Sequence, residues 1–282
     1  MNTDLLRQWI GKTETVDDHI TATPVAALSA TLNRGTTPPL EGTILPPLWH
    51  WLYFLPLHQQ SEIGEDGHPK RGGFLPPVPL PRRMWAGSRL QFHHPLHVGE
   101  AISRRSTIMD VSTKQGRSGP LVFVVVRHEI SNAQGIAITE EHDIVYRDHP
   151  SPDEAAPTPR MAPQDHQWLD PIHPDPVLLF RYSALTFNGH RIHYDRSYVT
   201  DVEGYPGLVV HGPLIATLLL EALTRAKPDA TVKDFRFRAL SPTFDTQQFA
   251  VGGAMQDDTN IAKLWAKNDA GWLTMDATAT LA

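Results

Sequence analysis

LVFVVVRHEISNAQGIAITEEHDIVY, residues 121–146, is the stretch that decides the fold. Two runs rich in β-branched residues meet at a short turn, Asn132 to Gly135, and this pattern predicts two antiparallel strands joined by a hairpin. Residues 260–267 and 272–281 repeat the pattern around the turn Asn268 to Gly271. Because the same hairpin occurs twice, the chain is interpreted as an internal duplication.

Further strand-like runs extend each hairpin into an antiparallel meander. They lie at 89–92 and 101–111 in the first half, and at 232–239 and 246–255 in the second half. Five prolines and few apolar residues between Asp148 and Pro163 indicate a linker between the halves. The predicted organisation is an N-terminal half at 1–148, a Pro-rich linker at 149–164 and a C-terminal half at 165–282.

One helix is predicted before each meander. Thr23 is the expected N-cap of a first helix beginning at Pro24, and Pro213 is the expected first residue of a second helix ending near Lys227 and Pro228. One helix packed on an antiparallel sheet, twice, predicts an α+β fold. A single large β-sandwich is the alternative, and the position of the Pro-rich segment disfavours it.

The composition narrows the range of functions. The 282 residues are 40% hydrophobic and 20% charged, which is typical of a soluble globular protein. No apolar run approaches the roughly 20 residues that span a bilayer, so a cytoplasmic location without membrane contact is expected. The net charge of −6 argues against nucleic-acid binding, and the absence of cysteine excludes disulfides, thiolate nucleophiles and thiolate metal sites.

The polar segment TFNGHRIHYD, residues 186–195, carries the candidate chemistry. It holds two imidazoles, and His211 and Gly212 follow at the head of an apolar run that opens the second predicted helix. A histidine can act as an acid or base, and a backbone N–H at the start of a helix can stabilise an oxyanion. These are the two requirements of chemistry on a thioester.

This segment resembles the active site of MaoC-like hydratases and dehydratases, where D-F-N-P-x-H-x-D precedes an H-G turn into the central helix of a hot-dog fold. It is most similar to the branch of type 2 hydroxyacyl-thioester dehydratases and mesaconyl-C4-CoA or itaconyl-CoA hydratases. Residues 72–87, GGFLPPVPLPRRMWAG, resemble the substrate-side segment of the same branch. The resemblance implies a double hot-dog fold whose first half shapes the acyl pocket while the second half performs the chemistry.

The resemblance also implies the roles of individual residues. His193 is expected to activate water, and the Gly212 N–H to receive the thioester carbonyl. Asn188 stands where many members carry an aspartate, and because an amide cannot titrate, it is expected to orient water or the imidazole. His190 is a candidate helper of His193, and no cofactor is expected.

The implied reaction is hydration of an enoyl thioester or its reverse, with mesaconyl-C4-CoA or itaconyl-CoA as the expected acyl-CoA. The second carboxylate of such a substrate needs a guanidinium partner. The candidate substrate-binding residues are Arg191, His190, Arg181, Arg82, Arg83 and His211. Arg191 could equally form a structural ion pair with Asp195, four residues later.

Other functions stay open at this level. A metal site at His190, His193, His211 and Asp195 is disfavoured, because H-x-x-H does not place both imidazoles on one helical face and no H-E-x-x-H occurs. No G-x-S-x-G supports a serine hydrolase. The remaining alternatives are a 3-hydroxyacyl-ACP dehydratase, a hot-dog thioesterase and a non-catalytic acyl-CoA-binding subunit. A homodimer is possible.

Overall fold

A continuous antiparallel sheet of ten strands forms the framework of the protein. The computed structural model describes residues 3–116, 119–149 and 158–282. The strands are β1 (Thr13–His19), β2 (Arg82–Phe92), β3 (Ala101–Gly116), β4 (Gly119–Asn132), β5 (Gly135–Arg147), β6 (Trp168–Ile172), β7 (Val232–Ala239), β8 (Phe249–Met255), β9 (Ile261–Asn268) and β10 (Leu273–Leu281). The α-helices are α1 (Thr3–Arg7), α2 (Ala22–Thr31), α3 (Pro176–Leu185) and α4 (Gly212–Ala226).

The strand order shows the duplication directly. The sheet runs β1-β3-β4-β5-β2-β7-β10-β9-β8-β6, so that each strand of the first half has a counterpart at the mirrored position in the second half. The halves join where β2 pairs with β7, from Gly87 opposite Arg238 to Gln91 opposite Asp234. Because this pairing is itself antiparallel, both halves share one sheet and place their helices around a common interior.

Gly87 permits the close approach of β2 and β7. A Cβ atom at this position would lie 2.3 Å from the carbonyl oxygen of Phe237. Gly87→Ala is therefore expected to lower the free energy of unfolding by about 1–3 kcal/mol, since backbone rather than a flexible side chain would have to move. Chemical denaturation would measure the change, with Gly64→Ala as the control, because a Cβ there meets nothing closer than 3.4 Å. Equal stability of the two variants would contradict the prediction.

Helix α4 is the central helix of the second half. Every residue from Leu214 to Leu223 is buried, and the helix packs against β6, β8 and β9. A helix that is apolar on all sides must lie inside the protein, which explains its position. Glu221 is the charged exception, and its carboxylate binds Arg34 (3.1 Å) and the indole N–H of Trp49 (3.2 Å) from the first half. The predicted end of α4 is confirmed, and its start lies one residue earlier than predicted, at Gly212.

The expected helix of the first half differs from the prediction. Helix α2 begins at Ala22, and its N-cap is Thr21 rather than Thr23. It follows the edge strand β1 as α3 follows β6, and α2 and α3 contact each other, so α2 is the counterpart of α3 and not of α4. The chain position of α4 is occupied in the first half by short 3₁₀ helices at Trp49–Leu52 and Gln60–Glu62. Pro46, Pro47 and Pro56 limit longer helices in this segment.

All eight predicted strands are present, and two edge strands were missed. β1 has the polar sequence TETVDDH, and β6 has the sequence WLDPI with a proline inside it. Neither has the apolar run that indicates a strand, and an edge position tolerates both patterns. Within the described ranges, no helix is long and apolar enough to cross a bilayer.

The predicted linker lies only partly within the described residues, because 150–157 fall outside them. Its last part packs on the second half. The Ala162 N–H donates to the Gly271 carbonyl (3.0 Å), and the Leu273 N–H donates to the Arg160 carbonyl (2.7 Å). The boundaries of the halves at 148 and 165 stay predictions.

Candidate active site

A cavity of about 1740 Å³ is lined by residues of both halves. The second half contributes the segment between α3 and α4, including Asn188, His190, His193 and Gly212. The first half contributes residues of the long loop and of β2 and β5, including His68, Arg83 and Tyr146. A polar cluster inside a large cavity is where a reaction on a bound ligand is expected.

The turn after α3 sets the direction of the catalytic segment. Phe187 has a φ of 49°, in the left-handed region, and the Asn188 N–H returns to the Ser183 carbonyl (2.8 Å). The Oδ1 of Asn188 then accepts the backbone N–H of His190 (3.1 Å). This Asx turn leads into the 3₁₀ helix Arg191–His193. Asn188 lines the cavity, but its Oδ1 is already used to shape the backbone.

His193 has the geometry of a general base. Its side chain is buried, and its Nδ1 lies 2.7 Å from the Val209 carbonyl oxygen. Because a carbonyl only accepts, Nδ1 carries the hydrogen and Nε2 keeps its lone pair. Burial lowers the pKa of His193 to about 4, so the imidazole is neutral near pH 7. The predicted base is thus present in the cavity in its basic form.

His211 supports His193 rather than lining the cavity. The two rings stack with centroids 3.7 Å apart, and the Nε2 of His211 hydrogen-bonds the hydroxyl of Ser183 (2.8 Å). Burial, followed by the charges of His193 and His190, keeps the pKa of His211 well below its usual value. His211 packs on His193 and Ser183 and does not form part of the cavity wall, which favours a supporting role over contact with substrate.

Gly212 places a backbone donor at the start of α4. It is the first residue of the helix, so its N–H has no acceptor within the helix and lies at the positive end of the helix dipole. A Cβ here would meet only the Met275 Cε, at 4.0 Å, so there is open space beside the residue. A thioester oxygen can approach this N–H from the cavity, as the resemblance implied.

Arg191 forms the ion pair with Asp195 that the sequence left open. Its guanidinium binds the Asp195 carboxylate (2.7 and 3.0 Å) and the Glu65 carbonyl (3.0 Å), and lies 4.1 Å from the Tyr198 ring centroid. It does not form part of the cavity wall. Its donors are used outside the cavity, which favours the structural ion pair over substrate binding as the role of Arg191.

Arg181 is also misplaced by the sequence-based prediction. It lies on the exposed face of α3, whose buried residues are Leu179, Tyr182 and Ser183, and it is absent from the cavity wall. Consecutive residues of an α-helix point about 100° apart, so a residue next to the buried Tyr182 in sequence can lie on the exposed face.

The two arginines of β2 line the cavity and differ in their partners. Arg82 binds the Glu203 carboxylate (2.7 Å) and the Glu203 carbonyl (2.8 Å), and packs on the Tyr205 ring. Arg83 acts electrostatically on Tyr146, His68 and His190. Among the described residues, no carboxylate forms an ion pair with Arg83. Arg83 is therefore the predicted arginine that stays available to an anionic ligand.

The sequence-based interpretation missed Asp66 and His68 in the first-half loop. The Nδ1 of His68 lies 3.0 Å from the Asp66 Oδ2, and the His68 backbone N–H donates to Asp66 Oδ1 (2.9 Å). The His68 ring packs on His190 with centroids 3.9 Å apart. The only signal in the sequence was the length of the loop from Pro56 to Pro81, since long loops in compact domains are commonly functional.

Asp66, His68 and His190 also form the one group of described residues whose ligand atoms come close enough for a metal ion, all within 4.8 Å of one another. Their ring geometry does not suit an ion. Two imidazoles bound to one metal at roughly 2.0–2.1 Å hold their ring centroids about 5 Å apart. The observed rings are partly stacked at 3.9 Å, and Asp66 already pairs with His68. We assign the three residues as a hydrogen-bonded and stacked group.

A second buried group lies on β5 in the first half. Glu140 hydrogen-bonds His50 Nε2 (3.1 Å) and accepts from Trp51 Nε1 (3.1 Å), and His142 Nε2 lies 2.6 Å from its other oxygen. Burial raises the pKa of Glu140, but His142 and His50 outweigh it and hold the pKa well below its usual value. Since both oxygens are occupied, Glu140 anchors the 3₁₀ helix Trp49–Leu52.

Known proteins with similar sequences show the family of the chain. The family of type 2 hydroxyacyl-thioester dehydratases matches residues 48–245. A mesaconyl-C4-CoA hydratase of Chloroflexus aurantiacus is 51% identical over 242 residues, covering 86% of each chain. A mitochondrial type 2 hydroxyacyl-thioester dehydratase of Schizosaccharomyces pombe is 30% identical over 267 residues, covering 83% of this chain and 87% of that protein.

A solved structure supports the fold. A Mycobacterium tuberculosis protein described as a double hot-dog superposes with a TM-score of 0.57 at 14% identity, covering 97% of this chain and 96% of the other. The predicted double hot-dog fold and family are thereby confirmed. With the family match spanning most of both halves, this chain belongs to the type 2 hydroxyacyl-thioester dehydratases, enzymes of the MaoC-like hydratase and dehydratase class.

Proposed function

We propose that the protein hydrates the CoA thioester of an unsaturated dicarboxylic acid, with mesaconyl-C4-CoA or itaconyl-CoA as substrate and citramalyl-CoA as product. The observation that carries this proposal is Arg83, a cavity arginine without a carboxylate partner beside the catalytic imidazoles. The similarity to the mesaconyl-C4-CoA hydratase supports the same substrate class.

The chemistry follows from the positions of His193 and Gly212. The neutral Nε2 of His193 takes a proton from water while the water oxygen adds to the β-carbon. The Gly212 N–H stabilises the negative charge that develops on the thioester oxygen. The enolate then takes a proton at the α-carbon, and one water has been added. No step requires an external oxidant or reductant.

Arg83 is suited to the second carboxylate of the substrate. A guanidinium recognises a carboxylate through two parallel hydrogen bonds. Tyr146, which stands opposite Arg83 where β5 pairs with β2, is buried among apolar neighbours and can help to hold the guanidinium in place. Arg71 is less suited, because its two terminal nitrogens donate to the Val78 and Pro81 carbonyls (both 2.6 Å).

The test compares mesaconyl-C4-CoA with crotonyl-CoA, which lacks the second carboxylate, by the loss of absorbance of the enoyl thioester. The wild type is expected to prefer mesaconyl-C4-CoA. Arg83→Gln is expected to raise its KM by about 10²-fold, since a charge-assisted bidentate contact contributes roughly 2–3 kcal/mol. Arg181→Gln, outside the cavity, is the control. Equal effects of Arg83→Gln on both substrates would contradict the role of Arg83.

Dehydration of 3-hydroxyacyl thioesters is the second candidate function. The cavity volume of about 1740 Å³ exceeds the need of a short acyl group, and the S. pombe relative is named a hydroxyacyl-thioester dehydratase. A preference for crotonyl-CoA or for longer 3-hydroxyacyl thioesters would favour this candidate. The cytoplasmic location and the homodimer stay predictions, and the homodimer can be tested by light scattering.

A further inference from the structure

We propose that Asp66 and His68 of the first half provide the negative charge that Asn188 cannot provide, and that they act through His190 as positioning residues for His193. The inference rests on the proposed function for the proton transfer that it serves. It also revises the division of labour expected from the sequence, because a first-half loop takes part in the chemistry.

The contacts form a continuous series from Asp66 to His193. Asp66 holds the Nδ1 of His68 (3.0 Å), which leaves the Nε2 of His68 unprotonated when the imidazole is neutral. The His68 ring packs on His190 at an interplanar angle of 39°, and His190 meets His193 edge to face with centroids 5.4 Å apart. His68, His190 and His193 all line the cavity, whereas Asp66 lies behind them.

Backbone contacts fix the loop on the catalytic segment. The Arg191 N–H donates to the Asp66 carbonyl (2.9 Å), and the Arg191 guanidinium donates to the Glu65 carbonyl (3.0 Å). Gly67 touches Gly189 so closely that a Cβ on Gly67 would lie 1.8 Å from the Gly189 carbonyl oxygen. The distance from Asp66 to the imidazoles is therefore set by the packing of two backbones and not by a flexible side chain.

The charged groups around the imidazoles show why Asp66 is needed to stabilise an imidazolium. His211 at the start of α4 stacks on His193, and the α4 dipole presents its positive end there. Arg83 from β2 acts on His68 and His190, and Arg71 from the loop acts on His68. Asp66 is the carboxylate of the described residues that acts on His190, while Glu140 is held by His50 and His142. Of the charged groups that act on His190, Asp66 alone favours an imidazolium.

Asp66 is ionised at neutral pH. Burial would raise its pKa, but hydrogen bonds from the side chain and backbone of His68 hold the pKa well below its usual value. The negative charge of Asp66 stabilises the imidazolium that forms on His193 during hydration. When His193 takes the proton from water, the oxygen bonds to the β-carbon and the electron pair of the double bond moves to the thioester. His193 is then an imidazolium until it returns the proton to the α-carbon, and Asp66 stabilises that stage.

The test is the pH profile of kcat/KM for Asp66→Asn, with Asp66→Glu and Glu65→Gln as matched controls. Asparagine can still accept the His68 backbone N–H, so the loop is expected to keep its conformation. We expect kcat to fall about tenfold and the acidic limb to move about one pH unit lower, as estimated for one charge at roughly 10 Å. In Asp66→Glu the acidic limb of kcat/KM should lie at the same pH as in the wild type. The same is expected of Glu65→Gln, which removes an exposed charge from the same loop.

An acidic limb that stays in place in Asp66→Asn, or that moves equally in Glu65→Gln, would overturn the inference. A fall in melting temperature without movement of the limb would overturn it too, because that result describes a structural role. The pH profile can be measured with any enoyl thioester that the wild type hydrates. The test therefore does not depend on which acyl group the proposed function assigns to the substrate. If the wild type hydrates none, the His193 imidazole signal in NMR titrations, assigned with His193→Gln, must show the same lowering of pKa.

Discussion

His193→Gln is expected to lower kcat/KM for hydration by about 10²–10⁴-fold while leaving the melting temperature close to that of the wild type. General acid or base catalysis by one positioned side chain contributes a factor of this size. A glutamine amide can still donate to the Val209 carbonyl, as the Nδ1–H of His193 does, but it cannot take a proton from water. Turnover of an enoyl thioester, followed by absorbance, measures the effect.

His93→Gln is the control for this substitution. His93 is exposed and hydrogen-bonds Thr139 just beyond β2, outside the cavity wall. It should retain the activity of the wild type. If His193→Gln keeps more than a tenth of the wild-type kcat/KM, another group must be the base, and the assignment of His193 is wrong.

The pH dependence of the wild type follows from the same residue. Burial lowers the pKa of His193 to about 4, and only the neutral imidazole can accept a proton. Activity should therefore be nearly constant from pH 8 to 5 and should fall as the pH drops through about 4. A limb between pH 6 and 7 in kcat/KM would indicate a solvent-exposed histidine as the base.

Gly67→Ala is expected to disrupt the active site from the first half. Gly67 has a φ of 87°, and its missing Cβ leaves room for the Gly189 carbonyl oxygen. An added methyl group must push the loop away from the catalytic segment, since both partners are backbone. We expect a loss of about 2–4 kcal/mol in the free energy of unfolding and of about 10²-fold in kcat/KM.

Gly73→Ala is the matched control in the same loop, because a Cβ at Gly73 meets nothing within 4 Å. Thermal unfolding and hydration kinetics of both variants, measured side by side, separate the loop contact from a general effect of alanine. Equal stability and activity of the two variants would show that the contact between Gly67 and Gly189 does not position the site.

Local patterns in the sequence were enough to predict the two meanders and the central helix of the second half. Turn residues predict the two hairpins, at Asn132 to Gly135 and at Asn268 to Gly271. A run of apolar residues predicts α4. The segment from Asn188 to His193 forms a turn through its own hydrogen bonds. Its position beside the start of α4 could be predicted from the order of the two segments along the chain and from the family resemblance. These features depend on residues close together in sequence.

Tertiary structure alone decided which half supplies the charge and which arginine is available. All four candidate arginines could bind a carboxylate as far as the sequence shows. In the structure Asp195 pairs with Arg191, Glu203 pairs with Arg82 and the exposed face of α3 carries Arg181, so of the four Arg83 is the one on the cavity wall without a carboxylate partner. Asp66 and His68 lie more than a hundred residues before His193, and the pairing of β2 with β7 holds the two halves in one sheet. Local sequence determined the elements, whereas contacts between distant segments determined the electrostatics of the site, because charge acts through space rather than along the chain.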